Sequence, residues 1–348
     1  MKHVKAYGTE NPNAQLQPLT IERREVLDDD VDIDILYCGV CHSDIHSAHN
    51  DWGGSKYPLV PGHEIIGRVT QVGTAVKSFK IGDLVGVGCM VDSCQDCSSC
   101  AEDLEQYCEN GMVGTYNGKD KHTGKQTFGG YSTNIVVREK FVLRIPENLD
   151  TKAVAPLLCA GITTFSPLNH WKIKKGDKVG VIGLGGLGHM GIKFAHAMGA
   201  ETIMITTSPN KAESAKDLGA DDVLISNDNE AMKKHRGTFD FLLNTVPVKH
   251  DLNPYISLLK RDATMVLVGA IEPLEPMNGG QIILGRKRIA GSLIGGIKET
   301  QEMLDFCGKH NIVSDIEMIT MQEINTAFKR VTSNDVKYRF VIDMKSLK

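Results

Sequence analysis

No stretch of this chain is long and apolar enough to cross a bilayer. The most apolar run, Val179 to Met190, is broken by Gly183, Gly185, Gly186, Gly188 and His189. The opening residues MKHVKAYGTE carry no apolar h-region, so a secretory leader is not expected and a cytoplasmic location is. Nor is there an excess of basic charge. The net charge of −4 argues against nucleic acid as a partner, since phosphate backbones call for a basic face. Internal repeats and low-complexity linkers are also missing. What remains is 348 residues, 41% apolar and 24% charged, enough for about two globular domains.

Nine cysteines without a leader read as metal or catalytic thiols rather than a disulfide framework. Four of them, Cys94, Cys97, Cys100 and Cys108, follow the spacing C-x2-C-x2-C-x7-C. Four thiolates on one short loop can wrap a tetrahedral zinc ion, and such a shell is closed, hence structural. Disulfides and an iron–sulfur cluster are the rival readings. The missing export signal counts against the first, and the wide gap before Cys108 with no proline after it counts against the second.

The first 150 residues alternate short β-like runs with Gly, Pro and Asp turns: 31–37, 65–72, 85–88 and 131–137. This texture predicts an all-β lobe with function on its loops. After Pro156 the pattern changes. Strands are expected at 178–182, 202–206, 222–225, 239–243, 264–268 and 289–294. Helices are expected at 187–198, 211–218, 229–235 and 252–259, which predicts a doubly wound parallel sheet. A tail with helices over 298–309 and 322–331 is expected to return to the first lobe. The resulting division is 1–154 with 295–348, and 155–294, joined by short turns around a cleft.

Gly183-Leu184-Gly185-Gly186-Leu187-Gly188 fits G-x-G-x-x-G directly between an expected strand and helix, the context that makes it a dinucleotide site. Gly183 would allow the tight turn, Gly185 the approach of a pyrophosphate, and Gly188 close helix–strand packing. At the end of the next strand an NAD site usually carries an acid. Here stand Thr206, Thr207 and Ser208, followed by Lys211. Three hydroxyls and an ammonium suit a 2′-phosphate, so NADP(H) is the expected coenzyme.

Beyond the four-cysteine cluster, Cys41, His63 and Cys159 could supply two thiolates and an imidazole around a second metal with an open fourth position. From spacing alone, with ligands 22 and 96 residues apart, they read more readily as core residues. The segments GVCHSDIH (39–46), YPLVPGHEIIGRV (57–69), PLLCAGITTF (156–165), GLGGLGH (183–189) and DVKYRFVID (335–343), with the four-cysteine lobe, span essentially the whole chain. Together they resemble the zinc-dependent medium-chain alcohol dehydrogenases, within them the cinnamyl alcohol dehydrogenase type. That resemblance implies a Rossmann domain with a GroES-like β-rich catalytic domain, and two zinc ions per chain. It implies a catalytic zinc on Cys41, His63 and Cys159 with Glu64 beside it, and a structural zinc on the four-cysteine loop. It places Ser43 and His46 in a proton relay, Asp44 behind His63, Thr163 near the nicotinamide and Arg339 near the pyrophosphate. It also suggests a homodimer, with residues 282–294 as an intersubunit strand. Trp52, Met112, Val113, Leu293 and Ile294 are the expected substrate pocket; a single aromatic among them argues against strict cinnamyl specificity. The expected reaction is reversible hydride transfer between NADP(H) and primary alcohols or aldehydes, aromatic and some aliphatic. An NAD-dependent polyol or amino-alcohol dehydrogenase, or a nonenzymatic nucleotide-binding relative, are the alternatives. Thr207 and Lys211 oppose the former, and the intact Cys41, His63 and Cys159 oppose the latter.

Overall fold

The computed structural model describes residues 2–269 and 272–347. The chain forms two compact units, Met1–Cys159 with Gly295–Lys348, and Ala160–Ile294. Residues 155–159 group with the first unit, where the 3-10 turn Ala155–Leu158 packs on its strands.

The first unit is built on a seven-stranded sheet. Its path runs Ile316–Thr320, Arg339–Asp343, Asp30–Gly39, Ile65–Val72, Leu84–Val87, Leu143–Arg144, and Asn134–Arg138 also pairs with Asp30–Gly39. The first pair is parallel and the rest antiparallel. Val31, Ile33, Ile65, Ile66, Val87 and Ile135 are at most 2% exposed and form its core. The tail strand Arg339–Asp343 pairs with Tyr37–Gly39 and so brings C-terminal residues beside the segment that leads into Cys41.

This lobe is not all β. The helix His42–His49 leaves the end of the long strand, and it carries Ser43, Asp44 and His46. Its sequence, HSDIHSAH, has no apolar stripe to announce a helix; capping starts it, because Asp44 accepts the backbone N–H of Cys41 at 2.9 Å. Tyr131 also departs from expectation. The strand begins at Asn134, and Tyr131 turns fully inward.

The second unit is a six-stranded parallel sheet in the order Asp222–Ile225, Glu201–Thr206, Lys178–Ile182, Phe239–Asn244, Leu259–Leu267, Arg288–Gly291. The order reverses at Lys178–Ile182, which makes its C-terminal end the switch point where this architecture binds ligands. Ile182, Ile205, Phe239, Leu242, Ile256 and Met265 fill the core. Helices Gly188–Ala197, Ala212–Asp217, Asn229–Lys234 and Asn253–Leu258 fall within the expected spans. The fifth strand starts five residues earlier than its apolar stretch, because the charged Lys260, Arg261 and Asp262 are carried through a register shift with Asp262 at φ +66°. The sixth ends at Gly291 rather than 294: Ser292 still donates to Leu267, but Ile294 adopts φ +37°, which a strand does not accommodate. The helix Ala160–His170, unheralded by periodicity, holds Thr163 and packs Phe165 edge-on against Phe194.

Candidate active site

The four-cysteine loop folds so that the ligand atoms of Cys94, Cys97, Cys100 and Cys108 all lie within 4.8 Å of one another. All nine cysteines are free. Cys94 and Cys100 Sγ are 3.9 Å apart, far beyond the about 2.05 Å of a disulfide. Two sulfurs each about 2.3 Å from one tetrahedral zinc would stand roughly 3.8 Å apart, so the geometry fits that ion. Backbone N–H groups of Cys94, Cys97 and Glu109 point at cysteine sulfurs at 3.4 Å. The N–H groups of Glu109 and Cys100 hold the Cys97 thiol down to about 6, favouring the thiolate a metal needs.

The second group assembles from three distant segments of the first unit. Cys41 stands at the start of the helix, His63 and Glu64 precede the strand Ile65–Val72, and Cys159 follows the 3-10 turn. Their ligand atoms also converge within 4.8 Å, and all four residues are buried. Cys41 and Cys159 Sγ are 3.9 Å apart, again a zinc-like separation. A hydrogen bond from Cys159 draws the Cys41 thiol well below its ordinary range despite burial, with help from the Arg339 charge. One oxygen of the fully buried Glu64 is bound by Arg339, and the other has no hydrogen-bond partner. Burial pushes the Glu64 carboxyl up to about 7 even against Arg339. Two thiols, an imidazole and a carboxylate with converging ligand atoms, one carboxylate oxygen being left without a partner, suit a zinc ion.

Asp44 is the keystone of this group and is fully buried. Its Oδ2 accepts from Cys41 N at 2.9 Å and Tyr131 Oη at 3.1 Å, its Oδ1 from Gly62 N at 3.0 Å and His63 Nδ1 at 3.1 Å. Since a carboxylate only accepts, His63 must carry its proton on Nδ1, which leaves Nε2 as the ligand atom. Gly62 is needed here. It adopts φ +102°, and a side chain would press on Tyr131 and Cys38. Tyr131, Tyr116 with its ring 5.7 Å from that of His63, and Cys89, whose thiol donates to the Leu158 carbonyl at 3.7 Å next to Cys159, are neighbours the sequence pattern did not single out.

The expected proton relay is only partly joined. Ser43 Oγ lies 3.6 Å from Cys41 Sγ, and His46 Nδ1 pairs with Asp51 at 2.8 Å while its ring stacks on Trp52 at 4.8 Å. No hydrogen bond links Ser43 to His46 among the described residues. Arg339, expected at a pyrophosphate, is buried and spends part of its guanidinium on Glu64, although its Nε is unpartnered. Of the expected pocket residues in this unit, Val113 is buried while Trp52 and Met112 are exposed; in the other unit Ile294 is buried and Leu293 exposed.

The glycine-rich turn lies in the second unit at the switch point. Gly183 adopts φ +93°, a Cβ on Gly188 would collide with the Gly183 carbonyl oxygen, and around Gly185 the space is open. Thus the first and third glycines serve the fold, and the second leaves room for a ligand at the N-terminus of the helix Gly188–Ala197. Lys211 Nζ donates to the Leu184 carbonyl at 3.0 Å, which sets its ammonium against this turn. Thr206 is buried, Ser208 half-buried and Thr207 exposed at the adjoining strand end, and Thr163 is buried in its helix.

A β-rich lobe with two convergent ligand clusters and a parallel sheet with a dinucleotide turn define a metal-dependent dehydrogenase. Residues 27–147 match the alcohol dehydrogenase GroES-like domain, and residues 186–309 the zinc-binding dehydrogenase family. The chain belongs to the zinc-dependent medium-chain alcohol dehydrogenases. It is 55% identical to the aldehyde reductase YahK of Escherichia coli (strain K12), over 99% of each chain. It is 45% identical to the cinnamyl alcohol dehydrogenase SbCAD4 from Sorghum bicolor, with a TM-score of 0.96 over 100% of this chain and 99% of that one. A cinnamyl alcohol dehydrogenase (CAD) from Helicobacter pylori, solved in complex with NADP(H), is 44% identical with a TM-score of 0.92, over 99% of this chain and 98% of that one. Among the described residues no helix is long and apolar enough to cross a membrane.

Proposed function

We propose that the protein is an NADP(H)-dependent aldehyde reductase and alcohol dehydrogenase acting on primary aromatic substrates of cinnamyl or benzyl type and on some aliphatic ones. The observation that carries this reading is the convergence of Cys41, His63, Glu64 and Cys159 in the lobe that also holds a separate four-cysteine cluster. Cys41, His63 and Cys159 hold the catalytic zinc with Glu64 in reserve, and Cys94, Cys97, Cys100 and Cys108 hold the structural one. When bound, the zinc supplies Lewis acidity to the alcohol or aldehyde oxygen, and the nicotinamide takes or gives the hydride.

The residues of this chain do the rest. Ser43, beside Cys41, exchanges the hydroxyl proton. His46, with Nδ1 committed to Asp51, uses Nε2 to pass it to solvent. These two side chains sit three residues apart on one helix without a direct bond, so a hydroxyl or water has to bridge them. Thr206, Thr207, Ser208 and Lys211 bind the 2′-phosphate, Gly183 to Gly188 the pyrophosphate with Arg339, and Thr163 the nicotinamide. Trp52, Met112, Val113, Leu293 and Ile294 contact the substrate. A cytoplasmic homodimer fits this reading: Arg288–Gly291 is an edge strand, and Ile283 and Leu284 just before it are 78% and 92% exposed.

The test is a panel of aromatic and aliphatic aldehydes with NADPH and NADH, for wild type, Cys159→Ser and Lys211→Ala. Wild type should favour NADPH, Lys211→Ala should lose about tenfold of that preference, and Cys159→Ser should be inactive. Equal use of both coenzymes by wild type refutes the coenzyme assignment, and an active Cys159→Ser refutes the ligand assignment.

A further inference from the structure

One polar pair in the second unit, a buried asparagine and a half-buried histidine, has no part in the chemistry above. Asn244 ends the strand Phe239–Asn244, beside Ile182 in the sheet, and is 1% exposed. Its Oδ1 accepts the backbone N–H of Val246 at 3.1 Å. A backbone N–H can only donate, so the amide carbonyl must face Val246, and Nδ2 must face His250 Nε2, 2.8 Å away. That NH2 group can only donate, so His250 Nε2 accepts. The imidazole proton therefore sits on Nδ1, which donates to the Val248 carbonyl at 2.7 Å. Every atom of the pair has one consistent role, and together they close residues 245–250 into a pinned loop.

The pinned loop is the floor of the glycine-rich turn. Thr245 N and Oγ1 donate to the Ile182 carbonyl at 3.0 and 2.8 Å, and Oγ1 also reaches the Gly183 carbonyl at 3.2 Å. A Cβ on Gly183 would stand 3.1 Å from both Thr245 Oγ1 and Val246 Cγ2, and one on Gly188 3.3 Å from Thr245 Oγ1. The turn is thus seated on Thr245 and Val246, which lie within the segment that the Asn244–His250 bond closes.

We infer that Asn244 and His250 are positioning residues for the coenzyme: they fix the loop 245–250, which fixes the glycine-rich turn. The inference rests on the reading of that turn as the coenzyme site. Because the turn serves the part common to NADH and NADPH, loss of the pair weakens both alike, whereas Lys211 acts on one.

The experiment uses the full-length, zinc-loaded enzyme. The Kd of NADPH and of NADH is measured by fluorescence titration for wild type, His250→Ala, His250→Gln, Thr245→Val and Lys211→Ala. Coenzyme KM and kcat with benzaldehyde and the zinc content are measured in parallel. His250→Ala should raise both Kd values about five- to tenfold, as expected for one or two lost hydrogen bonds. The NADPH/NADH ratio and the two zinc ions should stay unchanged, and kcat at saturating coenzyme should fall less than the KM rises. His250→Gln should recover most of the affinity, since its amide offers an acceptor to Asn244 and a donor to Val248. Thr245→Val keeps the shape of the floor and its backbone bond but loses both hydroxyl bonds, and should weaken both coenzymes even if His250→Ala does not fold. Kd values within twofold of wild type in His250→Ala, or in Thr245→Val should the former not fold, overturn the inference, as does a His250→Gln as weak as His250→Ala. A wild type that binds NADH as tightly as NADPH refutes the coenzyme preference instead, while the His250→Ala effect on either coenzyme still decides the positioning role.

Discussion

Replacing Asp44 by asparagine removes one charge and turns one acceptor into a donor, with almost no change in volume. Each carboxylate oxygen takes two donors: Cys41 N and Tyr131 Oη on one side, Gly62 N and His63 Nδ1 on the other. Whichever side the new NH2 group occupies, two donors meet it. On the Cys41 side the tyrosine hydroxyl can rotate to accept, but the backbone N–H cannot, and the helix His42–His49 loses its cap. On the His63 side the backbone N–H of Gly62 is stranded, and the imidazole can adapt only by moving its proton to Nε2, the atom needed for the metal.

Hydrogen bonds to a charged group contribute about 1.5–3 kcal/mol each, so stranding the one backbone N–H that cannot adapt costs at least about that much. That is a large part of the about 5–15 kcal/mol by which a domain is usually stable. Loss of a group that orients a ligand histidine typically lowers metal affinity about 10- to 100-fold. The assay is zinc content after dialysis against a graded chelator, with urea unfolding followed in parallel. Asp44→Asn should fall from two zinc ions per chain to one and unfold at lower urea, the four-cysteine site remaining filled. A variant that keeps two zinc ions at every chelator concentration tolerated by wild type, and loses less than about 1 kcal/mol, would show that the carboxylate does not control the site.

Two other substitutions probe the remaining sites. Cys97→Ser should give one zinc per chain by elemental analysis and a lower melting temperature, because a hydroxyl does not replace the thiolate that Glu109 N–H and Cys100 N–H stabilise; an unchanged Tm with two zinc ions would contradict it. Gly188→Ala should abolish NADPH binding in fluorescence titration while both zinc ions remain, since its Cβ collides with the Gly183 carbonyl and forces the turn open.

The features that could be read from the sequence are those written in neighbouring residues. The four-cysteine loop and the glycine-rich turn each occupy one short segment, and the parallel strands from 178 to 243 are contiguous apolar runs. The helix 42–49 escaped because its face toward the core holds a carboxylate, Asp44, where periodicity looks for aliphatic side chains. Tyr131 escaped for a related reason. It continues an alternating stretch, and only tertiary folding brings its hydroxyl to a carboxylate 87 positions away. Arg339 could be assigned only by resemblance, and its pairing with Glu64, 275 positions distant, is set by the tail strand's register. The strand start at 259 differs from expectation because charged residues interrupt the apolar pattern while the ladder continues, and the end at 291 because the apolar pattern runs on to Ile294, whose positive φ does not fit the ladder.

The two ligand clusters differ in charge as well as in assembly, and that difference accounts for their surroundings. Four thiolates against a divalent ion leave two negative charges at Cys94, Cys97, Cys100 and Cys108. The protein meets them with N–H groups of the same loop, so the site is complete within fifteen residues. Two thiolates and a neutral imidazole would leave a divalent ion at Cys41, His63 and Cys159 with no net charge, which would suit the proposed catalytic zinc, a centre that has to draw electron density from an oxygen. A negatively charged Glu64 in the same shell would work against that, yet it is held close. Arg339 neutralises it from the tail strand, and Asp44 spends its own charge on four donors that do not include the metal. Both buried carboxylates thereby have their charge met by protein donors, and under the proposed function the long-range contacts that periodicity could not reveal are the ones that would keep a zinc at Cys41, His63 and Cys159 electrophilic.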